Sequence, residues 1–173
     1  VDAAARIRAL LRRLLVERSQ TTILVTHEIV DAVTLADELL ILDGGTVVER
    51  GTVRAVLDAP RSAFAASLAG LSLVEGRWDG KRLVTALGAL TGVVHGEPAV
   101  DDAAVAVFTA ASASVFLAEP HAASPRNTLR ASVLQIEPHG DRARIRCDAS
   151  GTDVNAEITW ESVRELGIDV GTE

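Results

Sequence analysis

Residues 21–51, TTILVTHEIVDAVTLADELLILDGGTVVERG, constrain the fold of this chain more than any other stretch. An apolar, β-branched run at 22–25 stops at Thr26-His27-Glu28. A helical pattern over 28–36 follows, then a second apolar run at 39–42, the turn Asp43-Gly44-Gly45 and a strand at 46–50. Strand, polar tip, helix, strand is the order of an α/β domain, in which ligands bind outside the carboxyl ends of parallel strands. His27 stands at such an end. It is the strongest candidate for chemistry in the chain.

Residues 3–18 set Ile7, Leu10, Leu11, Leu14 and Leu15 on one stripe with Arg8, Arg12 and Arg13 opposite. That spacing predicts an amphipathic helix lying against a sheet, its basic face solvated. Thr52 is placed to cap a helix over 53–57, Pro60 breaks it, and 62–68 reads as another helix. Beyond Gly70 the pattern changes to short strands: 73–78, 83–87, and 105–117 with an interruption at Ala110-Ala111. A turn-rich linker at 119–125 leads to strands at 128–137, 142–147 and 154–159, with turns at 138–141 and 150–151. Arg142, Arg144 and Arg146 alternate with Ala143, Ile145 and Cys147, the pattern of a half-buried strand. Thr159 caps a short helix over 160–166 that Gly167 ends. Short strands with one small helix suggest an OB-like barrel.

A chain of 173 residues, 48% hydrophobic, can bury one or two cores. It shows no apolar run of membrane-spanning length, no secretory leader is expected from its Arg-rich first helix, and its single cysteine, Cys147, suits a reducing compartment. It contains no methionine, so a processed chain or a fragment is expected. Residues 1–70 hold 8 of the 17 basic and 9 of the 24 acidic groups, leaving 9 and 15 for the rest. An acidic second half argues against nucleic acid as a partner, and any oxyanion site there must rely on local donors.

The segment ILVTH, followed about nine residues after the histidine by Ala36-Asp37 in LADELLILDGGTVVERGT, resembles the closing part of the ATP-binding domain of ABC transporters, around its H-loop. The resemblance implies ATP and Mg2+ as cofactors of the parent protein. It makes His27 the catalytic switch histidine, which would contact the γ-phosphate and orient the attacking water. Phosphoryl transfer asks mainly for positioning and charge stabilisation. The competing reading is a strand-end histidine that only caps the following helix. The chain has no G-x-x-x-x-G-K-[ST] loop, no ABC signature motif and no apolar strand ending in Asp-Glu, so this piece alone is expected not to hydrolyse ATP.

SPRNTLRASVLQIE at 124–137 and VNAEITWESVRELGIDVGTE at 154–173 resemble the Mop domain, a TOBE-type molybdate-binding barrel. That resemblance implies an oxyanion site in which Ser124, Arg126 and Asn127 meet Thr159 at an interface between copies. A tetrahedral anion needs hydroxyl, N–H and guanidinium donors converging on a small volume, and Thr159 opens a helix. Taken singly, Arg126 reads equally as a surface charge and Thr159 as an N-cap. The family's final strand, with a Lys-Ala-Ser-like segment, would follow Glu173; residues 105–117 resemble it in an earlier position, with Thr109 where the lysine would stand. Thr109 and Ser112 are therefore weaker site candidates. His95, His121 and His139 fall in turns without metal-ligand spacing, so no metal site is expected. Trp78 and Trp160 read as core or interface anchors.

The combined expectation is the end of an ABC ATPase domain over 1–70, a linker with diverged TOBE/OB-like strands over 71–123, and an incomplete Mop/TOBE domain over 124–173. The pairing most resembles the ATPases of molybdate importers. It implies an energy-coupling subunit that dimerises through both domains, binds a membrane permease at the cytoplasmic face of the plasma membrane, and takes molybdate or tungstate as a regulatory ligand. A sulfate, iron or polyamine importer with a structural TOBE domain is the alternative in the same class. A stand-alone molybdate-storage protein is the alternative outside it.

Overall fold

The computed structural model describes residues 3–18, 20–118, 120 and 124–173. The chain divides into two compact units, one running to Ala69 and the other from Gly70 to Glu173.

In the first unit, helix α1 (Ala3–Arg18) packs against α2 (Ile29–Leu35). Arg8 Nε donates to Asp31 Oδ1 at 2.5 Å and Arg12 to the Thr34 carbonyl at 3.3 Å. The basic face expected to be solvated therefore supplies the contacts, while Ile7, Leu10 and Leu11 remain largely exposed. Strand β1 (Glu38–Asp43) turns back through Gly44 and Gly45 into β2 (Thr46–Thr52). Both glycines have positive φ (54° and 81°), the backbone a two-residue I′ hairpin turn needs. Thr52 caps α3 (Val53–Asp58) and Ser62 caps α4 (Ala63–Leu68), each accepting from the backbone N–H three residues on. Ile41, Val56 and Ala65 form the small core of this unit, with Leu39 against it.

Two expectations fail here. Residues 22–25 form no strand, and Ile23 and Val25 are 91% and 94% exposed. The single ladder of this unit, β1–β2, is antiparallel, so no parallel α/β sheet is present among the described residues. The physical reason is pairing: a run apolar on both faces suits a strand buried between neighbours, and no described strand lies beside this one.

The second unit is mostly β. Its first sheet has the order β5-β4-β3-β6, with β3 Leu71–Trp78, β4 Leu83–Thr85, β5 Gly88–Leu90 and β6 Ala103–Thr109. The second runs β7-β8-β9, with β7 Ser132–His139, β8 Arg142–Ala149 and β9 Thr152–Thr159, and is followed by α5 (Trp160–Leu166). All these ladders are antiparallel. The sheets meet where Asn155 N–H donates to the buried Ser72 hydroxyl at 2.8 Å. Val74, Leu83 and Leu90 pack with Ala149 and Val154, while Val133, Ala143 and Ile145 pack with Val163 and Ile168; Cys147 touches both groups. Burial pushes the Cys147 thiol pKa up.

The interruption expected at Ala110-Ala111 is present, as β6 ends at Thr109 and a 3-10 turn occupies Ala110–Ser112, but residues 113–117 form no strand beyond it. Pro138 and His139 belong to β7, and the turn narrows to Gly140-Asp141. Proline is tolerated there because β7 is an edge strand of its sheet. The segment after α5 also closes on β7, with Val133 N–H donating to the Thr172 carbonyl at 2.9 Å and Gly171 N–H to the Val133 carbonyl at 2.8 Å. In the linker, Glu119 and residues 121–123, including His121, lie outside the described residues.

Candidate functional site

His27 lies in the bend between the extended segment and α2. Its side chain is 89% exposed, with Nε2 3.4 Å from Glu28 Oε1. Thr26, rather than His27, organises the turn: its hydroxyl accepts from Glu28 N–H at 3.0 Å and donates to Asp31 Oδ2 at 3.1 Å. No side chain caps α2, so the reading of His27 as a mere helix cap finds no contact. With Glu28, Ile29, Phe64, Ser67 and Leu68, His27 lines an open cleft of about 270 Å³. An imidazole so exposed, with an adjacent carboxylate as its close contact, has ring nitrogens that solvent or a ligand can reach.

A second cleft, of about 310 Å³, lies in the β unit. It is lined by Ala111, Ala113, Ser114 and Val115 after β6, by Arg142 of β8, by Glu157, Ile158 and Thr159 of β9, and by Ser162 and Leu166 of α5. Register explains the grouping, since Arg142 is the direct cross-strand partner of Thr159. Thr159 Oγ1 accepts from Ser162 N–H at 3.0 Å and lies 2.8 Å from Ser162 Oγ. The two hydroxyls share one hydrogen bond, so one O–H proton is left to donate. Glu157 Oε1 and Oε2 stand 4.0 Å from Arg142 Nη1 and His139 Nε2. His139 Nε2 is in turn 3.0 Å from Arg144 Nη2.

The other residues named from the sequence fall elsewhere. Ser124, Arg126 and Asn127 are exposed and do not line this cleft. Asn127 is committed to structure: its Oδ1 accepts from Thr91 N–H at 2.7 Å and its Nδ2 donates to the Thr91 carbonyl at 2.8 Å. Thr109 and Ser112 sit beside the cleft without lining it, and the Ser112 hydroxyl donates to the Thr109 carbonyl at 2.7 Å. Within one copy, then, Thr159 is not brought together with the segment 124–127.

The TOBE domain family matches residues 123–173. Over 99% of its length the chain is 39% identical to the molybdenum import ATP-binding protein ModC of Mycobacterium tuberculosis, covering 48% of that protein. It is 34% identical, with the same coverages, to the sulfate/thiosulfate import ATP-binding protein CysA of Burkholderia mallei. Residues 123–173 thus match a TOBE domain, and along nearly its whole length the chain is similar to part of a ModC-type import ATP-binding protein. It spans about half the length of these curated relatives. Among solved structures, the molybdate-bound form of the cytoplasmic molybdate-binding protein ModG superposes with a TM-score of 0.52 at 24% identity, covering 58% of this chain and 84% of that one. At that identity the likeness speaks for the β fold of the TOBE region.

The TOBE cleft also contains residues that sequence reasoning missed. Ser114, Arg142 and Ser162 line it. Ser162 could have been found, because it lies in the first turn of the helix foreseen from Thr159. Arg142 could not, since alternation assigned it to an outward face and only the β8–β9 register puts it beside Thr159. His139, read as a solvated turn residue, instead meets Arg144 at the end of β7. His95 lies in an exposed loop. Among the described residues no three His, Cys, Asp or Glu gather as a metal-holding group. No described helix is long and apolar enough to cross a membrane.

Proposed function

We propose that this chain is the C-terminal part of the energy-coupling ATPase subunit of a molybdate importer. The first unit would supply the switch histidine His27 and the TOBE domain would act as the oxyanion-sensing module. The observation that carries this reading is the 39% identity to a molybdenum import ATP-binding protein along 99% of the chain. The hydroxyl-and-guanidinium cleft at Thr159 supports the sensing role, because charge-assisted donors are what a tetrahedral anion needs. Ser124 and Arg126, exposed and away from that cleft, would reach it from a second copy in a homodimer.

The residues present do not by themselves make a site for ATP and Mg2+. The sequence has no phosphate-binding loop, and the charged groups beside His27, Glu28 and Asp31, are both carboxylates. In this reading the nucleotide and metal ligands belong to the rest of the protein, which would work as a peripheral subunit on a membrane permease at the cytoplasmic face. His27 would hold a hydrogen bond to the γ-phosphate and align the attacking water.

Two measurements test the reading. Molybdate or tungstate should raise the melting temperature of the chain, the ligand contributing about 2.7 kcal/mol at a hundred times its Kd. Arg126→Ala should lose most of that gain, whereas Arg146→Ala, paired with Asp153 at 2.6 Å, should keep it. In the longer protein, His27→Ala should abolish ATP turnover while nucleotide binding survives; hydrolysis at the parental rate would remove His27 from the mechanism. A sulfate importer is the second reading, favoured by the 34% identity to CysA. Stronger stabilisation by sulfate than by molybdate would select it.

A further inference from the structure

We propose that Arg142 is the cation of the TOBE cleft and sets its affinity for a tetrahedral dianion. The inference rests on the oxyanion-sensing reading and adds to it a residue outside both motifs that carry the family resemblance.

The geometry begins with what Arg142 does not do. Its guanidinium carries five N–H donors, and among the described residues no acceptor takes any of them in a hydrogen bond. Its ionic neighbour, Glu157, stands 4.0 Å away, beyond hydrogen-bonding distance. The side chain is 41% exposed and lines the cleft with Ser114, Thr159 and Ser162. A planar donor fork and a spare hydroxyl proton on the facing strand–helix junction match the geometry of an oxyanion.

Glu157 lines the same cleft and opposes an anion there. Its charge is shared, however. Arg142 and His139 flank it at 4.0 Å, and Arg144 is its direct cross-strand partner. Arg144 lies between two carboxylates, Glu157 on β9 and Glu137 on β7, so the two arginines balance the two acids and the patch carries no surplus negative charge. The Arg144 Nε is buried without a partner and its Nη2 is engaged with His139. Arg142 is therefore the arginine of the pair that keeps donors available.

The test is calorimetry and thermal shift on residues 1–173 with sodium molybdate, comparing the unaltered chain with Arg142→Ala, Arg142→Lys and Arg146→Ala. Loss of a charge-assisted contact should weaken molybdate binding about 10- to 100-fold in Arg142→Ala. Arg142→Lys should recover part of that loss, since it restores charge without the fork. Arg146→Ala should bind as the unaltered chain does. Melting without ligand separates folding from binding: all variants should melt within a few degrees of one another, and the lysine variant carries the comparison if the alanine variant does not. Unchanged affinity in Arg142→Ala, with the unaltered chain binding molybdate, overturns this role and leaves the oxyanion reading standing. No binding of molybdate, tungstate or sulfate by the unaltered chain overturns both.

Discussion

Asp31 is gripped from two sides, by Arg8 Nε at 2.5 Å and by the Thr26 hydroxyl at 3.1 Å. The hydrogen bond from Arg8, helped by that from Thr26, holds the carboxyl below its ordinary value against the smaller opposing effect of burial. A carboxylate depressed in the folded state contributes stability above its unfolded pKa of about 3.9, and that contribution disappears as pH falls through the folded value. Helicity of residues 3–18, followed by NMR, should therefore drop on acidification below about pH 4. Asp31→Asn should lower it already at neutral pH and flatten the acid response; an unaltered acid profile in that variant would count against the contact. Little of this was legible beforehand. Periodicity told which arginines share a face of α1, but not that the face would find a carboxylate 23 positions on. Arg142 was hidden in the same way, because strand alternation gives a side and register gives a neighbour.

Elements with local causes were readable. The Asp43-Gly44-Gly45 hairpin, the Thr52 and Thr159 caps and the Gly167 helix stop each follow from two or three residues whose backbone preferences decide the outcome. Glu49 shows the opposite case. It sits mid-strand in β2 and is buried to 8% exposure with its carboxylate accepting from Arg61 N–H, Ser62 N–H and the Ser62 hydroxyl at 2.8–3.0 Å. Its partners lie 12 and 13 residues away, beyond any local rule. These bonds tie the start of α4 to the hairpin. Glu49→Ala would leave three donors without an acceptor, at a cost of about 2–3 kcal/mol. Glu49→Gln keeps the shape, loses the charge and should cost less. Denaturant melts of the two variants test this: equal, negligible losses would show that α4 is held by packing alone.

At the scale of the whole molecule, the two units differ in how completely they cover their own apolar surface. The β unit closes its core with strands from both sheets and α5, and even its last residues bond to β7. The first unit buries few apolar side chains, and residues 23–25 offer their backbone N–H groups to no described partner. An apolar run of this kind is what a sheet interior demands, yet among the described residues no strand pairs with it. The relatives' greater length makes the contrast measurable, since the chain spans only 48% of ModC. Amide exchange tracks local opening, and unpaired, exposed amides exchange close to the rate of an unfolded chain. Residues 23–25 should therefore exchange within seconds in this chain, while Ile145 and Val154, in the central and neighbouring strands of the β unit, should be protected by several orders of magnitude. In a longer protein of the proposed ATPase type, the same three amides should gain protection as a sheet strand. Exchange at 23–25 as slow as at Ile145 in the present chain would contradict the unpaired segment. Equally fast exchange in both proteins would contradict its role as a sheet strand.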